Sequence, residues 1–179
     1  MKKFTALLLV LAMVAGVSAA FGASPSAEEV SYVTVTGEGD IAIVWTSEND
    51  IGDDGTNPVE EAVSAQSKGS ALDVLPQEIR DQLPEGYTVV NEIRTMKLEG
   101  NLDNLDKLAE LNAVIKFDTP YAEDEIVYLA VGIPGETETE WVLLEGLGNA
   151  DQNLEVTFDH DTLMKIGPKA FVVMAISKA

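Results

Sequence analysis

Short runs of aliphatic, β-branched and aromatic residues recur from Tyr87 onward, separated by turns rich in glycine, proline, asparagine and aspartate. The clearest run places Leu154, Val156 and Phe158 at alternate positions, with polar residues between them. Because successive side chains of a strand point to opposite faces, this pattern is typical of a strand with one buried face. About five such runs follow at short spacing without helices of crossover length, so the strands are predicted to be antiparallel.

Two short helices are predicted beside these strands. Residues 76–83 begin with proline, end before Pro84 and carry Ile79 and Leu83 four positions apart. Residues 161–166 form a second helical turn that is closed by a glycine. Together these elements predict a mostly β fold, an antiparallel Ig-like β-sandwich with one or two short helices.

The C-terminal part is similar to a known group of domains in four stretches, residues 83–90, 117–121, 141–146 and 156–158. Their sequences are LPEGYTVV, FDTPY, WVLLEG and VTF. Over about residues 76–177 the chain resembles uncharacterised Ig-like domains of secreted proteins from anaerobic Gram-positive bacteria. The resemblance implies a secreted or surface accessory module, and it transfers no activity and no functional residue to this chain.

The N-terminus has the three parts of a signal peptide. Two lysines follow Met1, residues 4–17 are uncharged and apolar, and small residues follow up to Ala23. The apolar run is shorter than the roughly 20 residues that span a bilayer, and it lacks the polar face of a core helix. We therefore predict export, with cleavage after Ala20 or Ala23. No membrane anchor is expected, since the rest of the sequence has no second long apolar segment and no cysteine for lipid attachment.

The sequence after the predicted signal peptide indicates a separate β segment, followed by a linker to the C-terminal domain. Residues 30–36 and 41–46 are rich in β-branched and aromatic residues and flank Gly-Glu-Gly-Asp at 37–40, which predicts a hairpin. Residues 47–75 are rich in acidic residues, with a short helix predicted from Pro58 to near Gly69. The sequence leaves open whether residues 30–46 join the main sheet. The predicted division is a signal peptide (1–23), an N-terminal hairpin segment (24–46), an acidic linker (47–75) and a sandwich domain (76–179).

The charge of the chain limits its partners. It has 31 acidic and 11 basic residues and a net charge of −20 at pH 7, which becomes more negative if the leader lysines are removed. Such a field repels phosphate backbones and anionic membrane surfaces, so no nucleic-acid partner is expected. The absence of cysteine excludes disulfides, thiolate metal sites and cysteine nucleophiles.

One stretch has the spacing of a calcium-binding loop. Asp50, Asp54 and Glu61 occupy the first, fifth and twelfth positions of an EF-hand-like pattern. Hard oxygen ligands at this spacing suit Ca²⁺, which makes these three residues the candidate calcium ligands. No other cofactor is expected. Gly52 at the third position and Pro58 at the ninth depart from the pattern, so a flexible acidic linker is the favoured alternative.

Only one histidine, His160, is available for a Ser-His-Asp arrangement. It lies between Asp159 and Asp161, either of which is well placed to cap the helix that follows. Capping beside an exposed histidine is therefore favoured over a catalytic or metal role, and no enzyme activity is predicted. A carboxylate-based hydrolase stays open as an alternative, because the separation of two carboxylates cannot be obtained from sequence.

The placement of four aromatic residues would distinguish a carbohydrate-binding module from other interaction modules. These residues are Trp45, Trp141, Tyr121 and Tyr128. They would form a sugar-stacking platform if they were exposed on one face, whereas in a small sandwich such residues usually lie in the core. We predict a secreted or cell-surface, non-catalytic interaction or structural module with an unknown protein or glycan partner. A carbohydrate-binding module that uses exposed aromatics is the main alternative.

Overall fold

The computed structural model describes residues 41–51 and 55–179 of the 179-residue chain, and the backbone of residues 32–34. The predicted signal peptide, the predicted turn at 37–40 and Asp54 lie outside the described residues.

The described part of the chain contains eight strands and three α-helices. The strands are β1 (Tyr32–Thr34), β2 (Ile41–Trp45), β3 (Tyr87–Gly100), β4 (Glu110–Ile115), β5 (Ile126–Ile133), β6 (Glu140–Gly148), β7 (Leu154–Asp159) and β8 (Ala170–Lys178). The α-helices are α1 (Pro58–Lys68), α2 (Gln77–Arg80) and α3 (His160–Ile166). Short 3₁₀ helices lie at Glu48–Asp50, Ala71–Val74 and Leu102–Lys107.

All eight strands form one sheet in the order β1-β4-β7-β6-β5-β8-β3-β2, and every neighbouring pair is antiparallel. The prediction of a mostly β, antiparallel fold with a few short helices is therefore confirmed. The described parts of residues 30–46 also join the main sheet, because β1 and β2 belong to it.

The predicted N-terminal hairpin is replaced by two separate pairings. β1 pairs with β4 and β2 pairs with β3, so the two described strands lie at opposite ends of the strand order. The pairing with β3 brings Ile43 opposite Leu98, and both side chains are buried in the same core. A local pattern predicts a strand but not its partner, because the pairing depends on which other strand brings its apolar side chains to the same buried face.

The inner face of the sheet encloses the larger core. Ile43 of β2 and Leu111 of β4 belong to the same buried cluster although their strands are six places apart in the strand order, so the sheet is strongly curled. The Trp45 ring meets the edge of the Phe117 ring at 5.7 Å between centroids. The prediction that Leu154, Val156 and Phe158 share a buried face is confirmed, because all three belong to this cluster.

The outer face is covered in part by a helical layer, which we define as residues 55–83. Its buried members, among them Val59 and Leu75, form a second core with Val172, Met174 and Trp141 of the sheet. α1 ends one residue before Gly69 and begins at Pro58, as predicted, and the side chain of its N-cap Asn57 accepts the amide hydrogens of the first turn. The segment predicted as an acidic linker is thus also a packed part of the fold.

The short helix α2 confirms the helical turns predicted within residues 76–83. Its Ile79 is buried in the second core, whereas Glu78 and Gln77 are exposed. Among the described residues, no helix has the length and apolar character needed to cross a lipid bilayer.

Candidate functional site

The three predicted calcium ligands are not all described. Asp50 ends an exposed 3₁₀ helix and accepts a hydrogen bond from the Thr46 hydroxyl. Glu61 lies on α1, and Asp54 is outside the described residues. No group of three His, Asp or Glu side chains suited to a metal ion occurs in the part of the chain that the structure describes. Calcium binding by Asp50, Asp54 and Glu61 stays a prediction.

Glu61 has a structural role in the contact between α1 and the β5–β6 turn. Its Oε2 accepts a hydrogen bond from the Thr139 hydroxyl at 2.9 Å, and that hydroxyl lies 3.0 Å from the Thr56 hydroxyl. The Thr56 amide donates to the Gly135 carbonyl at 2.9 Å. A side chain at Gly55 would lie 2.5 Å from the same carbonyl, so this close approach requires glycine. No local sequence signal connects these two parts of the chain.

The histidine and the aspartate before it have structural roles. Asp159 is the N-cap of α3, and its carboxylate accepts the Thr162 amide hydrogen at 2.8 Å, which lowers the pKa of Asp159. The predicted capping is therefore confirmed, whereas the predicted exposure of His160 is not, because this side chain is half-buried. His160 Nδ1 lies 2.7 Å from the Leu108 carbonyl oxygen. Because a carbonyl can only accept, Nδ1 carries the proton and donates, which ties α3 to the residues before β4.

The four aromatic residues do not form an exposed platform. Tyr121 and Trp141 are buried, and Trp45 and Tyr128 are half-buried. Tyr128 packs edge-on against Tyr87 at a centroid distance of 5.0 Å, beside the helical layer. All four side chains pack in or against the two cores, as the alternative to sugar stacking predicts.

A polar cluster near the inner core fastens the loop after β4. The Glu92 side chain is nearly buried and accepts the Thr119 amide hydrogen at 2.7 Å. Its other oxygen lies 3.0 Å from Arg94 Nε, and Arg94 also pairs with Asp118. The cluster therefore uses its charged groups to hold residues 118–119 against β3.

Tyr121 lies fully buried in the inner core. Burial raises the pKa of the Tyr121 phenol from 10.0 to about 12, because the phenolate is poorly solvated there. In the unfolded chain the phenol ionises near its ordinary pKa, so the raised pKa favours folding below about pH 10. This contribution is lost as the pH rises from about 10 to about 12.

We expect the stability difference between the wild type and Tyr121→Phe to change by on the order of 2 kcal/mol across that pH window. Phenylalanine keeps the buried ring and removes the ionisation, so the wild type should lose more stability at alkaline pH than the variant. Urea unfolding at closely spaced pH values measures the difference. Parallel stability curves for the two proteins from pH 9 to 12 would show that Tyr121 does not titrate in this way.

A groove of about 430 Å³ crosses β4, β7 and β6 on the outer face of the sheet, beyond the helical layer. Its floor is a cross-strand row formed by Ala113, Val156 and Gly146, which are neighbours in register. Ala113 and Val156 point into the inner core, and Gly146 has no side chain. Only backbone is therefore left on the outer side of this row.

The walls of the groove are the cross-strand rows on either side of the floor, whose side chains point outward. The polar wall consists of Asn112, Thr157 and Glu145. The mixed wall consists of Val114, Glu155 and Leu147.

The mixed wall continues onto β5 through an exposed apolar pair. Ile126 is directly opposite Leu147 in register, and the two side chains are 39% and 45% exposed. Leu147 has the same parity as Trp141, Leu143 and Glu145 along β6, so it lies on the outer face of this strand. In the sequence, Leu147 continues the alternation of Trp141 and Leu143, so no local signal distinguished it as exposed.

Both carboxylates of the groove have neutral partners. Glu145 Oε2 accepts the Tyr128 hydroxyl at 3.1 Å, and Glu155 Oε1 accepts an amide hydrogen of Asn149 at 3.0 Å. Burial and the nearby Glu145 carboxylate raise the pKa of Tyr128. Among the described residues, no lysine or arginine lines the groove, and neither carboxylate forms an ion pair.

Comparison with known proteins gave no match to a family model, to a curated protein or to a solved structure.

Proposed function

We propose that this chain is an exported, non-catalytic interaction module that binds its partner through the groove across β4, β7 and β6. The observation that supports the groove is the exposed pair Ile126 and Leu147 beside a concave surface that also carries polar side chains. Contiguous apolar side chains exposed next to polar ones are typical of interaction sites on soluble domains. The N-terminal sequence of residues 1–23 supports export.

The contacts of His160 support a non-catalytic role. One ring nitrogen is used to hold the Leu108 carbonyl, and the adjacent Asp159 caps α3. The chain has no second histidine to act as a general base. We also propose that the chain is related to secreted Ig-like domains and has their sandwich arrangement. The succession of short antiparallel strands from β3 onward supports this relation.

We expect the double variant Ile126→Ser/Leu147→Ser to lose at least about ten-fold in affinity for any ligand of the groove. Each substitution removes a large apolar side chain that the ligand would bury, and the lost burial weakens binding. A loss of about 1.4 kcal/mol in binding free energy corresponds to a ten-fold loss in affinity. Labelled protein is applied to arrays of random peptides and of glycans, and the ligands found are measured by titration. Met164→Ser is the matched control, because Met164 is 48% exposed on α3 and does not line the groove.

Three outcomes separate the functions. Peptide ligands that are lost in the double variant and kept in Met164→Ser support the proposal. Glycan ligands with the same dependence would replace it by the carbohydrate-binding alternative. If no array ligand depends on the groove, or if a ligand is cleaved during the measurement, the proposed function is wrong.

A further inference from the structure

We infer that the groove binds a lysine or arginine side chain presented by an extended segment of a partner protein. This inference rests on the proposed function, because it names the partner of the same groove. It follows from the chemistry of the two walls, from the charge around them and from the size of the groove.

The two walls match the two parts of a long basic side chain. Leu147 and Ile126 offer an apolar surface for an aliphatic stem, while Glu145 and Glu155 lie on opposite walls. Lysine and arginine place their stems along apolar surface and keep the charged head group among polar groups. A neutral apolar side chain would use only the apolar pair, and a small cation without a stem would use only the carboxylates.

The surrounding charge favours a basic partner. Within the described part of the chain, each of the two carboxylates has only a neutral donor, so a cation bound between them adds a charge-assisted hydrogen bond without displacing a lysine or arginine. Glu123 and Asp124 are exposed in the loop that hydrogen-bonds to Gly148, at the Leu147 end of the groove. A second copy of this chain is disfavoured as the occupant, because each copy has a net charge of −20.

The size of the groove favours an extended segment. Three strands spaced by about 4.8 Å give a floor on the order of 10 Å long, which fits one long side chain. A helix is about 10 to 12 Å in diameter with its side chains and would rest on the rims. The volume of about 430 Å³ is at the low end for ligand sites, consistent with one anchoring side chain.

Matched peptides test the inference with the whole protein. The probe is an acetylated nonapeptide of alternating serine and valine with a central lysine, in which the β-branched residues favour an extended chain. In two further peptides the lysine is replaced by norleucine or by acetyl-lysine, which keep the stem and remove the charge. We expect the lysine peptide to bind at least about ten-fold more tightly than either, and to weaken from low to high salt.

Protein variants locate the charge effect. Glu145→Gln/Glu155→Gln should abolish the preference for lysine, because the amides keep the shape of the groove and remove both charges. Glu60→Gln/Glu78→Gln is the control with the same change of net charge, since both glutamates are exposed on the helical layer and do not line the groove. This control should keep the preference.

The outcomes distinguish the inference from the proposed function. If the three peptides bind equally and Glu145→Gln/Glu155→Gln has no effect, while Ile126→Ser/Leu147→Ser still abolishes binding, the groove is an interaction site but the basic partner is wrong. If butylamine binds as tightly as the lysine peptide, the ligand is a small amine and the protein partner is wrong. If neither Ile126→Ser/Leu147→Ser nor Glu145→Gln/Glu155→Gln changes the binding of any peptide, the inference and the proposed function are both wrong.

Discussion

Replacing Phe158 with alanine is expected to lower the free energy of unfolding by about 3 to 5 kcal/mol. The Phe158 ring is completely buried in the inner core, opposite Leu111 in register and 6.3 Å from the Phe171 ring between centroids. Removing it loses the transfer energy of a large apolar group and leaves a cavity that the surrounding strands cannot fill. Since a domain of this size is stable by about 5 to 15 kcal/mol, the loss is a large part of the total.

Urea unfolding followed by circular dichroism measures the effect of Phe158→Ala. Phe158→Leu keeps much of the volume and should cost clearly less than the alanine variant. Thr88→Ala, at an exposed position of β3, should change stability by no more than about 0.5 kcal/mol. A loss below about 1 kcal/mol in Phe158→Ala would mean that the two sides of the curled sheet do not pack through this ring.

Replacing Trp141 with alanine is expected to cost about 3 to 5 kcal/mol as well, but through the outer core. The indole lies over Gly132, where even a methyl group would come within 2.7 Å of the ring and of Val172. It belongs to the cluster that joins the sheet to Val59 and Leu75 of the helical layer. Removing the indole should therefore release the helical layer before it releases the sheet.

Hydrogen exchange distinguishes this result from a general loss of stability. In Trp141→Ala, the amides of α1 should exchange faster by a larger factor than those of β5, because only the outer core has lost its main contact. Trp45→Phe is the control, since Trp45 packs on the inner core and the chain has only two tryptophans. Equal acceleration in α1 and β5 would contradict a separate outer core.

The sequence predicted those features whose causes are local. The alternation of Leu154, Val156 and Phe158 is sufficient to define a buried face, and the structure buries all three. The cap of α3 was also predictable, because a capping carboxylate bonds to an amide only three residues away. These interactions need no knowledge of the remainder of the fold.

The features that were missed depend on register between distant strands. The partner of β2 is β3, which begins more than 40 residues later, and no local pattern identifies it. The groove exists only because Gly146, Val156 and Ala113 form one cross-strand row. A shift of one residue in any of the three strands would turn its floor outward and remove the site.

The position of β8 has a consequence for the order of folding. β8 lies between β5 and β3 and pairs with both, although it is the last of the described strands in the chain. Until residues 170–178 have been synthesised, the pair β2–β3 and the group β1, β4, β7, β6 and β5 are two separate pieces with open edges. Closure of the sheet is therefore a late, non-local event, which slows folding. Until β8 pairs, the edges of β3 and β5 stay open to pairing with strands of other chains, so this is the stage at which aggregation is most expected.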